Sequence, residues 1–310
     1  MPPSDSTADL AAALRAVSAP HILRTLDRLR LVGQHSVTQR PGNTPVAHAV
    51  QASGLEVAAH KPYAPGDDLR YLDWNAYGRL DQRVIKTFRA EREAPLHVLI
   101  DSSASMGVPA ADGKLAFSAA LGAGLAYIAL RQSNPVRVIA LEAGGTCRVS
   151  PRLRHVQRFP ELLQFLRTLV ARGATALHQG IDAYGRSAPV VGTAVLFSDF
   201  LVEPRAYEAA LDELCGRGCH VVAVRVIGAA ERDPATLPRR VRLRDVETDR
   251  ERVIDLTAAH RAQYARALDA HLQQLAHWCA ARAIGCAVAN TTAGLESCLL
   301  ADLPRAGVLQ

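Results

Sequence analysis

Leu96-His97-Val98-Leu99-Ile100-Asp101-Ser102-Ser103-Ala104-Ser105 is the stretch that decides the fold. Its first five residues are an apolar run of strand length and read as a buried strand. The carboxylate of Asp101 and the hydroxyls of Ser103 and Ser105 emerge where that strand ends. Open α/β sheets place their ligand sites at the carboxyl ends of strands. Oxygen-only donors in this number suit a hard cation such as Mg²⁺.

Outward from this stretch, strands and helices alternate. Strand 95–100 leads to a helix over 114–131, strands 136–142 and 146–149, and helices over 153–171 and 177–187. Strand 191–198, helix 204–217 and strand 219–227 follow. Residues 240–246 and 251–256 read as a hairpin around Thr248-Asp249-Arg250. Tyr264, Leu268, Leu272, Leu275 and Cys279 form the stripe of a long helix, and strand 284–289 and a short helix near 295–302 end the pattern. This alternation predicts an α/β, Rossmann-like, mostly parallel sheet with helices on both faces. Upstream, Ser18-Ala19-Pro20 reads as a helix start with Ser18 as its cap; Ile22, Leu26 and Leu29 repeat at helical spacing, and Gly33 ends them. Residues 34–53, centred on Pro41-Gly42-Asn43, are polar and turn-rich and are expected to be a mobile loop. The expected organisation is an N-terminal helical segment (1–33), a small segment (34–94), the α/β domain (95–302) and a tail (303–310).

The bulk composition narrows the function. With 49% hydrophobic and 21% charged residues in 310, the chain is an ordinary globular one. Its 36 basic residues include lysine only at Lys61, Lys86 and Lys114, a bias that fits GC-rich coding better than a binding surface. Arg239-Arg240-Val241-Arg242-Leu243-Arg244 alternates, so Arg240, Arg242 and Arg244 share one strand face. That reads as a solvated face guarding an edge strand, and no nucleic-acid partner is expected. The six cysteines are scattered. Cys215, Cys219 and His220 come closest to a metal cluster but lack a second ligand pair, so the cysteines read as small buried hydrophobes in a reducing compartment. No stretch offers the ~20 uninterrupted apolar residues of a membrane helix, and residues 115–130, rich in Ala and Gly, read as a buried helix. The first residues carry no basic region ahead of an apolar core. The expectation is a cytoplasmic protein with no secretory signal and no transmembrane segment.

Ser and Thr hydroxyls are weak ligands and serve only if carboxylates supply charge. Mg²⁺ takes six oxygens in near-octahedral order and keeps several waters. Ser103 and Ser105 as direct ligands, with Asp101 holding a bound water, would fit. Another hydroxyl and another acid are needed. Thr175 stands in Gly173-Ala174-Thr175, ahead of a helix, and Asp199 ends the apolar strand Leu196-Phe197-Ser198-Asp199. In the competing reading, Asp101 and Asp199 only cap turns. The five positions, D-x-S-x-S with a later Thr and a later strand-terminal Asp, resemble the metal-ion-dependent adhesion site of von Willebrand factor A-like domains. One departure is Ala176, where the family often has an acid after the Thr; losing that supporting carboxylate would weaken metal affinity.

A second constellation lies upstream, in His60-Lys61-Pro62-Tyr63-Ala64-Pro65-Gly66-Asp67-Asp68-Leu69-Arg70-Tyr71-Leu72-Asp73-Trp74-Asn75. Pro65-Gly66 marks a tight turn. Tyr63, Gly66, Asp67, Asp68, Arg70 and Asp73 read as a structural network fixing that turn, with Trp74 as its aromatic anchor. The rival reading makes Asp67, Asp68 and Asp73 a second carboxylate site. Residues 54–75, 85–96 and 244–251 together resemble a bacterial family known as domain of unknown function fifty-eight, over roughly residues 30–302.

That resemblance implies a von Willebrand A-like domain preceded by a smaller segment. It also implies a partner, because members are commonly encoded beside MoxR-type AAA+ ATPases and the pairs are thought to act in complex assembly, cofactor insertion or stress tolerance. The leading expectation is therefore a non-enzymatic binding module. Mg²⁺ (or Mn²⁺ or Ca²⁺) held by Ser103, Ser105 and Thr175 with Asp101 and Asp199 would take an acidic residue of a MoxR-type ATPase or its client. One alternative is a Mg²⁺-dependent phosphohydrolase with Asp101 as nucleophile. Against it stand Ser103 where a second acid is usual, the lack of an evident positioned lysine, and the absence of a phosphate-binding loop or nucleophile elbow. The other is a scaffold with a vestigial metal site.

Overall fold

The structure is a computed structural model that describes residues 5–32, 56–65, 69, 72–89, 95–232, 239–246 and 250–310. The chain folds as two compact units, residues 1–34 with 94–310, and residues 35–93. Two helices open it, α1 (Asp5–Val17) and α2 (Pro20–Leu26). Ser18 does not cap α2. Its hydroxyl donates back to the Leu14 carbonyl at 2.7 Å, in the last turn of α1, and Ala19 takes the cap position ahead of Pro20.

The smaller unit contains strand β1 (Glu56–Pro62), helix α3 (Trp74–Leu80) and strand β2 (Val84–Arg89), with β1 and β2 antiparallel. The sequence pattern did not reveal this strand pair. Asp73 caps α3, its Oδ1 accepting from the backbone N–H groups of Asn75 at 3.0 Å and Ala76 at 3.1 Å, and its own N–H donates to the Val84 carbonyl at 2.9 Å. The Tyr63 N–H donates to the Arg83 carbonyl at 2.8 Å. Trp74 is not an anchor: it is 64% exposed and meets Tyr77 edge-on with ring centroids 6.3 Å apart. Gly66, Asp67, Asp68 and Arg70 lie outside the described residues, as does the loop expected over 34–53.

The larger unit is built on β3 (Leu96–Asp101), β4 (Val136–Glu142), β5 (Thr146–Val149), β6 (Gly192–Ser198) and β7 (Cys219–Ile227). A two-stranded hairpin, β8 (Arg240–Arg244) with β9 (Glu251–Asp255), and an edge strand, β10 (Gly285–Asn290), complete the strands. The main sheet runs β10-β7-β6-β3-β4-β5, parallel except for β5. Its helices are α4 (Lys114–Arg131), α5 (Phe159–Leu166), α6 (Leu177–Ser187), α7 (Pro204–Gly216), the short α8 (Ala229–Arg232), α9 (Ala258–Ala280), and α10 (Leu295–Ser297) and α11 (Leu303–Arg305) near the C-terminus. The mostly parallel sheet with helices on both faces is the architecture the alternation predicts. Alternate residues of β3 enter two cores: Leu96, Val98 and Ile100 join α1, α2 and α4, while Leu99 joins α6 and α7.

Helix α4 is buried nearly all round, as a helix without a polar face must be. By length and apolarity it could cross a membrane, but 89% of its most apolar window is inside the protein. Small residues let it approach the sheet: a Cβ on Gly122 would stand 2.8 Å from Val98 Cγ1. The chain ends differ from the expected segment and tail. Leu10, Leu14 and Val17 of α1 and Val308 and Leu309 share the α4 core, and Arg30 and Gln310 exchange both backbone hydrogen bonds at 2.9 Å. Two helices also differ from the sequence pattern. The one expected over 153–171 is confined to a 3₁₀ turn and α5. Along the stripe of α9 only Leu275 and Cys279 are buried, and Tyr264 is 42% exposed. The hairpin forms as expected, with Arg240, Arg242 and Arg244 all exposed.

β3 lies between β4, which follows it, and β6, on its other side. The strand order therefore reverses at β3, and in open α/β sheets the carboxyl ends of the strands at such a point, here β3 and β6, are where ligands are placed. Because the C-terminal residues are core, Leu309→Ala should cost about 2–5 kcal/mol in urea unfolding; a tail residue would cost nothing measurable.

Candidate functional site

Asp101 closes β3 and is 1% exposed. Its Oδ1 accepts from the Ser103 N–H at 2.9 Å, and its Oδ2 accepts from the Ser198 hydroxyl at 2.6 Å. Ser102 anchors the strand end, donating both its N–H (3.0 Å) and its hydroxyl (2.6 Å) to the Leu141 carbonyl of β4. The chain then enters a 3₁₀ turn, Ala104–Gly107, with Ser103 in the cap position but making no side-chain cap bond. Its hydroxyl instead lies 3.1 Å from that of Ser105. Two hydroxyls and a buried carboxylate thus converge at one strand end.

The loop that carries Thr175 is tied to the same turn. The Ala104 N–H donates to the Gly173 carbonyl at 2.8 Å, and the Arg172 N–H donates to the Ser102 carbonyl at 2.9 Å. Thr175 sits in this loop two residues ahead of α6 and is half-buried.

Asp199 follows β6 directly and is 2% exposed. Its Oδ1 accepts from the Leu201 N–H at 3.2 Å, and its Oδ2 accepts from the Lys114 ammonium at 2.9 Å. The turn-capping reading therefore accounts for one oxygen of each carboxylate and leaves the other to a long-range partner. Lys114, the first residue of α4, also donates to Glu231 of α8, and its side chain is fully buried. A positioned lysine is thus present, contrary to the expectation from sequence. Glu231 is held in turn by the Gly228 N–H at 3.2 Å. Arg225, in register with Ser198, is 1% exposed with Nε and Nη1 unpartnered. Asp112 accepts from the Ala230 N–H at 3.2 Å through Oδ1, and its buried Oδ2 has no partner.

The electrostatics follow from this burial. Loss of solvent pushes Asp101 up from 3.8 to about 6, Asp199 nearby adds to the shift, and the hydrogen bonds from Ser198 and Ser103 oppose it. Burial works against charge on Lys114 as well, but Asp199 and Glu231 outweigh it and hold the ammonium above its ordinary range. Lys114 is thus paired with Asp199 and Glu231, while Asp101 has no cationic partner of its own. Among the described residues no group of three or more His, Cys, Asp or Glu side chains forms a metal cluster. The donors here are instead hydroxyls beside a carboxylate that lacks a counter-ion of its own. That set fits a small hard cation. Asp199, already paired with Lys114, fits an outer position better than a direct one.

Sequence reading located Asp101, Ser103, Ser105, Thr175 and Asp199 but missed Ser198, Lys114, Glu231 and Arg225. Two signals were available: Ser198 directly precedes Asp199, and Lys114 is one of only three lysines, placed at a helix start.

The family described as "Protein of unknown function DUF58" matches residues 59–274, more than half of the chain. "Uncharacterized protein Rv1480" of Mycobacterium tuberculosis and "Uncharacterized protein Mb1516" of Mycobacterium bovis are each 27% identical over 233 residues, covering 73% of this chain and 72% of theirs. Among solved structures, the conserved hypothetical protein BatB from Bacteroides thetaiotaomicron is 15% identical over 60% of this chain and 98% of its own, with a TM-score of 0.34. The vWF domain of the type V pili tip protein Mfa5 from Porphyromonas gingivalis is 18% identical over 35% of this chain and 38% of its own, with a TM-score of 0.26.

Two outcomes are expected. Lys114→Met leaves buried Asp199 and half-buried Glu231 uncompensated and should destabilise the protein by about 3–5 kcal/mol in chemical denaturation; Glu231→Gln in the same chain should recover part of the loss. For Asp101 the folded pKa lies above the unfolded one, so the native state binds the proton more tightly. Its contribution is fully present below about pH 4 and is lost as pH rises through about 6, for a total of ~3 kcal/mol. Unfolding of metal-free protein across that window should show this slope, and Asp101→Asn should remove it.

Proposed function

We propose that this chain, which belongs to the family described as "Protein of unknown function DUF58", is a non-enzymatic protein-binding module that docks an acidic side chain through a cation at the Asp101–Ser103–Ser105 site. The observation that carries this reading is the buried, uncompensated Asp101 carboxylate beside two hydroxyls 3.1 Å apart. Mg²⁺ is the favoured ion, because few charged ligands and several hydroxyls make a small, water-rich site; Mn²⁺ would substitute. The ion, when bound, supplies a coordination position that a partner's Asp or Glu fills with charge and geometry together.

The chain's own residues do the rest. Ser103 and Ser105 are direct ligands, Thr175 joins them from its tied loop, and Asp101 orients them through the Ser103 N–H. Asp199 pairs with Lys114 and holds the outer position. The proposed partner is a MoxR-type AAA+ ATPase or its client, as the family resemblance implies, in a cytoplasmic role in complex assembly or maturation. The phosphohydrolase reading gains a lysine in Lys114. However, that ammonium is bound to two carboxylates, and both Asp101 oxygens already accept hydrogen bonds, a poor arrangement for a nucleophile.

Calorimetric titration with Mg²⁺ tests the site, and capture of a MoxR-type ATPase with and without EDTA tests its use. Asp101→Asn and Ser105→Ala should each weaken Mg²⁺ binding by at least about tenfold and lose the ATPase while keeping the fold. Association indifferent to chelator and to both substitutions would overturn the reading in favour of a scaffold with a vestigial site.

A further inference from the structure

The cysteines are not uniformly buried hydrophobes. All six are free, but only Cys279 and Cys298 are fully buried. Cys279 and Cys286 meet on the sheet face covered by α6, α7 and α9. Cys279 lies in the last turn of α9. The Ile284 N–H then donates to the Cys279 carbonyl at 3.0 Å, and Ala283, at φ 55°, turns the chain back toward the sheet. Strand β10 begins at Gly285, and Cys286 pairs in register with Ala223. Ile284 and Cys286 pack on the α9 side, while Ala287 and Ala289 enter the opposite core. The turn therefore aims the Cys286 side chain at the helix end it has just left. There Cys279 and Cys286 are neighbours in the same core.

The two thiols are chemically unequal. Cys279 is 0% exposed, and the neighbouring Cys286 together with burial pushes it up. Cys286 is half-buried on the outermost strand of the sheet, and its neighbour Cys279 pulls it below the ordinary thiol range. A partly accessible sulfur that ionises more readily, next to a buried thiol within contact, is the arrangement of an attacking and a resolving cysteine.

We propose that Cys279 and Cys286 are an oxidisable pair that closes to an intrachain disulfide on exposure to a low-molecular-weight disulfide. The Cys286 thiolate attacks one sulfur of the external disulfide, forming a mixed disulfide and releasing one small thiolate. The Cys279 thiol then loses its proton and attacks the Cys286 sulfur, releasing the second small thiolate. Two protein thiols are oxidised, the external disulfide is reduced to two thiols, and the two protons lost by the protein end on them. The closed form ties the last turn of α9 to β10.

The test treats the intact chain with oxidised glutathione under native conditions, blocks remaining thiols with iodoacetamide, and digests with trypsin. The expected product joins peptide 267–282 to peptide 283–305, lighter by two hydrogens than the reduced peptides together, and dithiothreitol reverses it. Cys298 lies on the second peptide, so Cys298→Ser should keep the cross-link and Cys286→Ser should abolish it. Recovery of Cys279 alkylated in the treated wild type would overturn the proposal. So would a glutathione adduct on Cys286 that never closes, or a cross-link that survives in Cys286→Ser.

Discussion

Burying charge at the carboxyl ends of β3 and β6 is the constraint on which the rest of this molecule depends. Asp101 and Asp199 are both almost inaccessible to water, and a buried carboxylate costs several kcal/mol unless it is paired or hydrogen-bonded. The chain solves this in two ways. Asp199 receives a full counter-charge from Lys114, which Glu231 shares. Asp101 receives only hydrogen bonds, from the Ser198 hydroxyl and the Ser103 N–H. That difference separates a structural ion pair, at Asp199, from a carboxylate held by hydrogen bonds alone, at Asp101.

Much of the architecture serves this arrangement. Lys114 reaches Asp199 because α4 begins beside the strand ends and lies close against the sheet. The close approach needs small residues such as Gly122 where α4 crosses Val98. The turn after β3 is held by Ser102 on one side and by the Arg172–Gly173 backbone on the other, which ties the Thr175 loop to it without using the hydroxyls of Ser103 and Ser105. The last residues of the chain close the same α4 core from the far side.

The strand ending at Asp101, the alternating elements and the five candidate positions were legible in the sequence because each is a local signal. A strand-length apolar run, a loop ahead of a helix and a strand-terminal Asp all show in a window of a few residues. Ser198, Lys114 and Glu231 were not legible as site residues. Their partners lie 97, 85 and 117 positions away, and no periodicity reports such pairings. The stripe on α9 and the aromatic Trp74 misled for a related reason. Spacing identifies an apolar face, or an aromatic in a turn, but not whether another element arrives to cover it.

By itself the sequence determined the α/β class, the position of β3 and the donor chemistry at its end, because backbone periodicity and side-chain type are properties of neighbouring residues. Only the tertiary structure decided which carboxylate would carry a counter-ion and which would be left without one. It also decided which apolar residues became core, and which cysteines would share one core. Each of these depends on how residues distant in the chain are brought together when the two cores close on the sheet, and that assignment fixes the local solvation that sets charge, affinity and reactivity.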